Sequence, residues 1–253
     1  MKKQTRTASV KKPAQNNFAG KTVLAVDSSD TPLKMAILFP DGRMLSAISA
    51  DVRQERNVIR LARRLLSAYG LGLADVERVF ALRGPGRFTG IRIGLTLASV
   101  LRELNNAEIC SATVLETLAR QSAKSPDFLR WQAKNPKGKL AAITCAFRQE
   151  FFCQIFDVAK NGGVSPCSEP QWLPAPELKE YLSKLKFPIC CFGWAEKRQT
   201  LAPYLPKNCF ATAPTKNGIS PKVLIEAALS AKPQKEPISP LYLKPARYEL
   251  MKP

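Results

Sequence analysis

The sequence contains no histidine, and that absence removes a wide range of chemistry. Without imidazole there is no Ser-His-Asp or Cys-His nucleophile pair, no HExxH zinc motif and no histidine general base. Any catalysis would fall to carboxylates, lysine, cysteine or a bound ion. Long apolar runs are missing as well: no stretch approaches the roughly 18 to 20 apolar residues that a membrane-spanning helix needs. Cysteine is present but unpatterned. The seven residues (Cys110, Cys145, Cys153, Cys167, Cys190, Cys191, Cys209) include no CxxC pair, so buried free thiols are expected in place of a disulfide framework or zinc ribbon. The basic opening Met1 to Lys12 runs into Pro13, Gln15, Asn16 and Asn17, where a signal peptide has its apolar region. A cytoplasmic protein with no membrane partner is expected.

Acid is scarce. Against 39 Lys and Arg the chain has 20 Asp and Glu, a formal net charge of +19 on 253 residues. Residues 1–21 carry six of the basic residues and no acid, and they read as a disordered basic arm too poor in apolar surface to offset the entropy of ordering. Such an arm either meets nucleic acid or serves solubility. The remainder keeps 33 basic residues against 20 acidic ones, which favours a polyanionic partner without placing it.

With 45% hydrophobic and 23% charged residues the chain has the composition of a soluble globular protein, long enough for one large domain or two smaller ones. Thr22 to Val26, Leu33 to Phe39 and Met44 to Ala50 read as three strands of a meander. Arg53 to Tyr69 has helical apolar spacing, with Gly70 placed as its C-cap. Val79 to Leu82 reads as a buried strand, Thr89 to Leu104 as a helix, and Thr113 with Glu116 as a capping box opening another over Val114 to Ser122. Sixteen of the twenty prolines lie at or beyond Pro126, which keeps later helices short. Leu140 to Ala146 and Phe151 to Asp157 read as paired strands. Glu177 to Leu185 and Lys222 to Ser230 read as helices, the second capped by Ser220-Pro221. The domain reading is a basic arm over 1–21, a first lobe over 22–110 and a second, smaller or degenerate lobe with a C-terminal tail over 111–253.

The sharpest local feature is the run Arg83-Gly84-Pro85-Gly86-Arg87-Phe88-Thr89-Gly90-Ile91-Arg92-Ile93-Gly94 between strand and helix. It is neither a Walker loop, since no Lys-Ser or Lys-Thr follows, nor the dinucleotide fingerprint. Two readings stand: a phosphate-binding turn, with Asp27, Ser28, Gly84, Gly86, Thr89 and Gly90 around it, or a structural turn. In the helix behind it Gly90, Gly94 and Ala98 make a small-residue stripe at i, i+4 and i+8. That stripe suits either close approach of a partner helix or close packing on the chain's own sheet. On the preceding helix Arg53, Arg56, Arg60, Arg63 and Arg64 share one face, with Glu55 as the only acid. They form a solvated basic face, or one that meets an acidic helix or an RNA backbone. Asp27 ends the first strand, where ribonuclease-H-like nucleases keep a metal ligand and actin-like ATPases a catalytic aspartate. A nuclease would need a second acid where Leu82 and Arg83 stand, so a two-metal site is not expected, although Glu55 could reach from the helix.

These residues carry a resemblance. Val23-Leu-Ala-Val-Asp-Ser-Ser29, the basic helix beginning near Gln54-Glu55-Arg56, the run Ala81 to Leu101 and the closing Ile238 to Pro245 are similar to the bacterial TsaB (YeaZ) family. That family is related to the M22 glycoprotease-like proteins. The second half matches more thinly, through Ala141 to Ile143, Phe192-Gly193-Trp194 and the tail. The resemblance implies two ribonuclease-H-like lobes of the actin-like ATPase fold, mixed sheets flanked by helices, with a degenerate nucleotide site. It implies a non-catalytic subunit of the complex that makes threonylcarbamoyladenosine in tRNA, supporting a catalytic TsaD-like paralogue and joined by a TsaE-like ATPase, with a homodimer when the paralogue is absent. It implies no required cofactor, and at most weak ATP or ADP at the interface with the paralogue. The partner face falls on Arg53, Arg56, Arg60, Arg63, Gly90, Gly94 and Ala98, so Gly94→Leu is expected to break the partner contact and leave the fold intact.

The chain also departs from the family pattern. Arg87 replaces a loop serine, Gln54 stands near the family's histidine, and Cys145-Ala146-Phe147-Arg148-Gln149-Glu150 replaces an Asp-Ala-Arg-x-Gly-Glu segment. Cys145 cannot take over the acceptor role of an aspartate. Two other readings remain beside the scaffold: an actin-like enzyme with ATP between its lobes and Asp27 holding Mg²⁺ through water, and an RNA-binding protein acting alone.

Overall fold

The structure is a computed structural model that describes residues 20–213 and 218–244. Most of the basic arm and the last residues of the tail, from Pro245 on, lie outside the described residues. The chain divides into two compact units, 1–114 with 220–241 and 115–219 with 242–253.

In the first unit β1 (Val23–Asp27), β2 (Leu33–Leu38) and β3 (Met44–Ser49) form the expected meander. The chain continues through α1 (Gln54–Ser67), β4 (Arg78–Leu82), α2 (Phe88–Asn105) and β5 (Glu108–Ala112). The strand order is β3-β2-β1-β4-β5, with β1 antiparallel to β2 and parallel to β4. Every residue of β1, β2 and β4 is buried, which is why they read as apolar runs with no alternation, interrupted only by Lys34 in β2 and bounded by Asp27 at the end of β1 and Arg78 at the start of β4. Leu24, Val26, Met35, Ile37, Val79 and Ala81 share one core with Val58, Leu61, Leu65 and Leu66 of α1 and Ile91, Leu95 and Leu101 of α2. Truncating one of these leucines to Ala would cost about 2 to 5 kcal/mol. Gly70, at φ +68°, ends the α1 region in the left-handed conformation that its placement after Tyr69 anticipates.

The second unit holds α3 (Val114–Ala123), α4 (Pro126–Lys134), β6 (Lys139–Phe147), β7 (Glu150–Val158), β8 (Val164–Pro166), β9 (Gln171–Pro174), α5 (Ala175–Ser183), β10 (Ile189–Trp194) and β11 (Cys209–Ala211). Its sheet runs β11-β10-β6-β7-β8, with β9 also on β7. The first strand, β6, is central; on one side β7 pairs antiparallel with it and β8 antiparallel with β7, and on the other β10 and β11 run parallel. The first sheet follows the same path, so each unit has the topology of a ribonuclease-H-like lobe, a mixed sheet flanked by helices, as the α/β reading of the sequence expects.

The chain then returns to the first unit with α6 (Pro221–Ser230), which the sequence reading placed in the second lobe. Ser220 caps it, its Oγ accepting from the Val223 N–H at 3.3 Å. It packs on β1, β2, β4 and β5 through Val223, Leu224, Ala227 and Ala228. The buried Arg78 donates to the Ala231 carbonyl just past its last turn, a favourable place for a cation. Nothing in the local pattern of α6 says which sheet it will cover; only the long-range packing decides.

Candidate functional site

Antiparallel pairing of β1 with β2 sets Asp27 opposite Lys34. The Lys34 Nζ lies 2.7 Å from Asp27 Oδ2. Oδ1 accepts the Ser29 hydroxyl at 2.6 Å and the Ser29 N–H at 3.2 Å, and both members of the pair are buried. Burial alone pushes the Asp27 carboxyl up, but the Lys34 charge and the hydrogen bonds from Lys34 and Ser29 outweigh it and hold the group below the ordinary carboxylate range. The actin-like reading implies a nucleotide with magnesium at this end of the sheet, and these residues do not fit that group. A lysine ammonium stands where a cation on this carboxylate would stand, and displacing it would leave a buried charge unanswered. Sequence reasoning passed over Lys34. Its signal was a single charge inside the otherwise apolar run Leu33 to Leu38, one hairpin away from Asp27.

The glycine loop is folded onto the turn after Asp27. The Arg87 N–H donates to the Ser29 carbonyl at 2.7 Å, the Leu241 N–H to the Arg83 carbonyl at 2.6 Å and the Val114 N–H to the Gly84 carbonyl at 2.7 Å. The Arg87 guanidinium donates to Thr31 Oγ1 at 2.5 Å. A Cβ on Gly84, which sits at φ +109°, would lie 2.6 Å from the Leu241 carbonyl oxygen. One on Gly86 would strike the Ser29 carbonyl, and one on Gly90 the Ser28 carbonyl. The glycines are therefore required because the chain's own backbone fills the space beside them. The structural-turn reading accounts for Gly84, Gly86 and Gly90, and Ser28 is buried beneath them. Thr89 is exposed at the first turn of α2. Gln54, standing where the family's histidine was expected, donates to the Asp30 carbonyl at 2.8 Å.

The small-residue stripe faces inward, which revises the expectation that it meets a partner. Gly90, Gly94 and Ala98 are buried. A Cβ on Gly94 would lie 2.6 Å from Ser28 Oγ and 3.6 Å from a Val26 methyl, so the helix lies this close to its own sheet. The outward side of α2 carries a different row at i+4 steps: Phe88, Arg92, Thr96, Val100 and Leu104. Of these Phe88 is 53% exposed, Val100 42% and Leu104 76%. Phe88 lies under the Arg92 guanidinium at 4.0 Å. Helix α1, packed beside α2, adds the exposed Ile59. Arg53, Arg56, Arg60, Arg63 and Arg64 are exposed on α1. Arg53 is 3.6 Å from Asp51 and Arg60 donates to Asn57 Oδ1. The sequence reading took the glycines on one side of α2 and missed the apolar row opposite, which the same i+4 spacing could have found.

In the second unit the departed segment forms the β6–β7 hairpin tip. Arg148 adopts φ +48°, Cys145 Sγ donates to the Arg148 carbonyl at 3.3 Å, and Glu150 accepts the Trp172 indole N–H at 3.1 Å and pairs with Lys244. Glu150 is thus a structural anchor. Burial pushes the Cys153 and Cys190 thiols up to about 12, which leaves neither as a thiolate near neutral pH. Among the described residues no group of three or more Cys, Asp or Glu is placed to hold a metal ion. None of the described helices is long and apolar enough to cross a membrane.

No family model matches the chain. It is 32% identical over 174 residues to the tRNA threonylcarbamoyladenosine biosynthesis protein TsaB of Bacillus subtilis, covering 68% of this chain and 70% of that one. The protein of the same name from Haemophilus influenzae is 27% identical over 134 residues, and the chain spans 53% of its length. Among solved structures, YeaZ from Pseudomonas aeruginosa superposes with a TM-score of 0.62 at 20% identity, over 88% of this chain and 100% of that one, a likeness of fold.

Proposed function

The chain belongs to the TsaB family of tRNA threonylcarbamoyladenosine biosynthesis proteins, and from that premise we propose that it is a non-catalytic scaffold. On this reading it binds and orients a TsaD-like paralogue that transfers the threonylcarbamoyl group to the adenosine beside the anticodon. A TsaE-like ATPase joins the pair, and a homodimer forms on the same face when the paralogue is absent. The chain needs no cofactor of its own, and any ATP or ADP sits at the joint with the paralogue.

One observation carries the proposal: the outward row of α2, with Phe88, Val100 and Leu104 exposed beside the arginines of α1. Scattered exposed apolar residues are ordinary, but a row on one helix rimmed by charge has the anatomy of a docking surface. The enclosed Asp27–Lys34 pair supports a supporting role over a catalytic one, since the carboxylate at the end of β1 is held as an internal counter-ion.

The test is capture of the purified TsaD-like paralogue by the chain carrying Val100→Asp and Leu104→Asp. Each site is exposed, so the circular dichroism spectrum and melting temperature should match those of the parent. A charge placed in a desolvated contact is expected to lower affinity about a thousandfold for the pair, taking about 2 kcal/mol for each central position. Undiminished capture would move the interface elsewhere.

A further inference from the structure

The second unit has a surface that the scaffold role does not use. At the C-terminal end of α4 the half-buried Trp131 ring lies against Gly138, where a Cβ would meet it, and stacks at 14° and 6.4 Å on Phe210. Phe210 is 42% exposed on β11, the edge strand of its sheet. Strands β11, β10 and β6 run parallel, with Cys209, Ile189 and Lys139 in register. The residues that precede β6 and β11 therefore gather at the same end. They are basic: Lys134, Lys137 and Lys207 are exposed, and none has a carboxylate within ion-pair distance among the described residues. Residues 124–139 carry five basic side chains and one acid, Asp127, which Arg130 already pairs at 2.6 Å.

We propose that this end of the second unit, Phe210 over Trp131 framed by Lys134, Lys137 and Lys207, is a docking surface for an unpaired segment of RNA. The chemistry selects the class. An exposed ring backed by a second ring offers a flat π-face to a base, and unpaired lysines around it offer cations to the phosphates on either side. That combination is how proteins hold single strands without reading sequence. An acidic protein surface or an anionic membrane would satisfy the lysines but gives no use for an exposed phenyl ring on an edge strand. Taking the RNA to be tRNA rests on the tRNA-modification reading above; the surface itself does not.

The experiment is fluorescence anisotropy of labelled tRNA with the full chain, basic arm intact throughout, across a series of salt concentrations. Phe210→Ala is expected to weaken binding about tenfold at every salt concentration, with Phe210→Trp restoring it. The triple variant Lys134→Ala, Lys137→Ala, Lys207→Ala is expected to lower the slope of log affinity against log salt by about two, since each phosphate contact contributes roughly 0.7 to 0.9. An unlabelled oligouridylate should compete and an RNA duplex of equal length should not. Parental affinity in Phe210→Ala overturns the proposal, as does competition by the duplex alone. Restoration of threonylcarbamoyladenosine in cells depleted of their own TsaB separates the two readings. If the chain restores it while these variants bind tRNA normally, the surface falls and the scaffold stands; failure to restore it, with Phe210→Ala still weak for RNA, gives the reverse.

Discussion

Replacing Lys34 by Met is expected to destabilise the first unit by about 3 to 5 kcal/mol, the range seen when one partner of a buried ion pair is removed. The Asp27 carboxylate would keep its two hydrogen bonds from Ser29 and lose its counter-ion in a site with no access to water. The double variant Asp27→Asn, Lys34→Met should recover much of the loss, because two neutral groups of similar volume need no compensation. Acid dependence gives a second, sharper readout. In the parent the Asp27 carboxyl is held below its ordinary value, so its contribution is present above the unfolded-state pKa and is lost as pH falls through the folded value. In Lys34→Met only the two Ser29 hydrogen bonds are left to oppose burial, the largest single influence on this group, and the same carboxyl is expected to rise. The variant is then least disadvantaged in acid and loses stability as pH rises through that raised value. Urea unfolding at mildly acidic and neutral pH should show the gap between parent and variant widening towards neutrality; a gap independent of pH would mean that Lys34 acts through packing of its stem and not through charge.

How much of this was legible beforehand varies with the range of the forces involved. The meander was readable from short apolar runs bounded by turn residues, and α1 and α2 from their 3.6-residue period, all of them local signals. The strands β5, β10 and β11 were not called as strands: Glu108–Ala112 is short and mixed, and Ile189-Cys-Cys-Phe-Gly-Trp194 has no alternation because it is buried on both faces. Helix α4 was lost among the prolines, although Ser125-Pro126 is a good N-cap and first-turn proline, with Ser125 Oγ accepting the Phe128 N–H at 3.2 Å. Burial gave the site its less legible features. A sequence cannot tell whether a glycine stripe faces a partner or its own sheet, since both demand the same small residues. The exposed row on α2 and the Lys34 charge were visible as residues, and only the pairing of β1 with β2 and the direction of α2 gave them meaning.

The stripe supplies the other large effect. Gly90→Leu is expected to cost more than about 3 kcal/mol, above the usual range for overpacking, and to cost the isolated chain most of its cooperative melting. The added Cβ meets the Ser28 carbonyl, a backbone atom that can move only if α2 lifts from the turn after Asp27, and the Asp27–Lys34 pair is anchored in that turn. Gly94→Ala should be far milder, because what its Cβ meets at 2.6 Å is the Ser28 hydroxyl, the end of a side chain that can rotate away. Gly94→Leu extends further, towards Val26 and Ala81, and the expectation that it spares the fold is replaced by one of clear destabilisation. Thermal melts of the isolated chain should therefore rank Gly90→Leu, then Gly94→Leu, then Gly94→Ala in order of damage. The Val100→Asp, Leu104→Asp variant should melt with the parent while losing the paralogue. Opposite faces of one helix are thereby assigned separable duties, inward for the fold and outward for the partner. A Gly90→Leu chain that melts normally yet fails to bind would return the stripe to the interface.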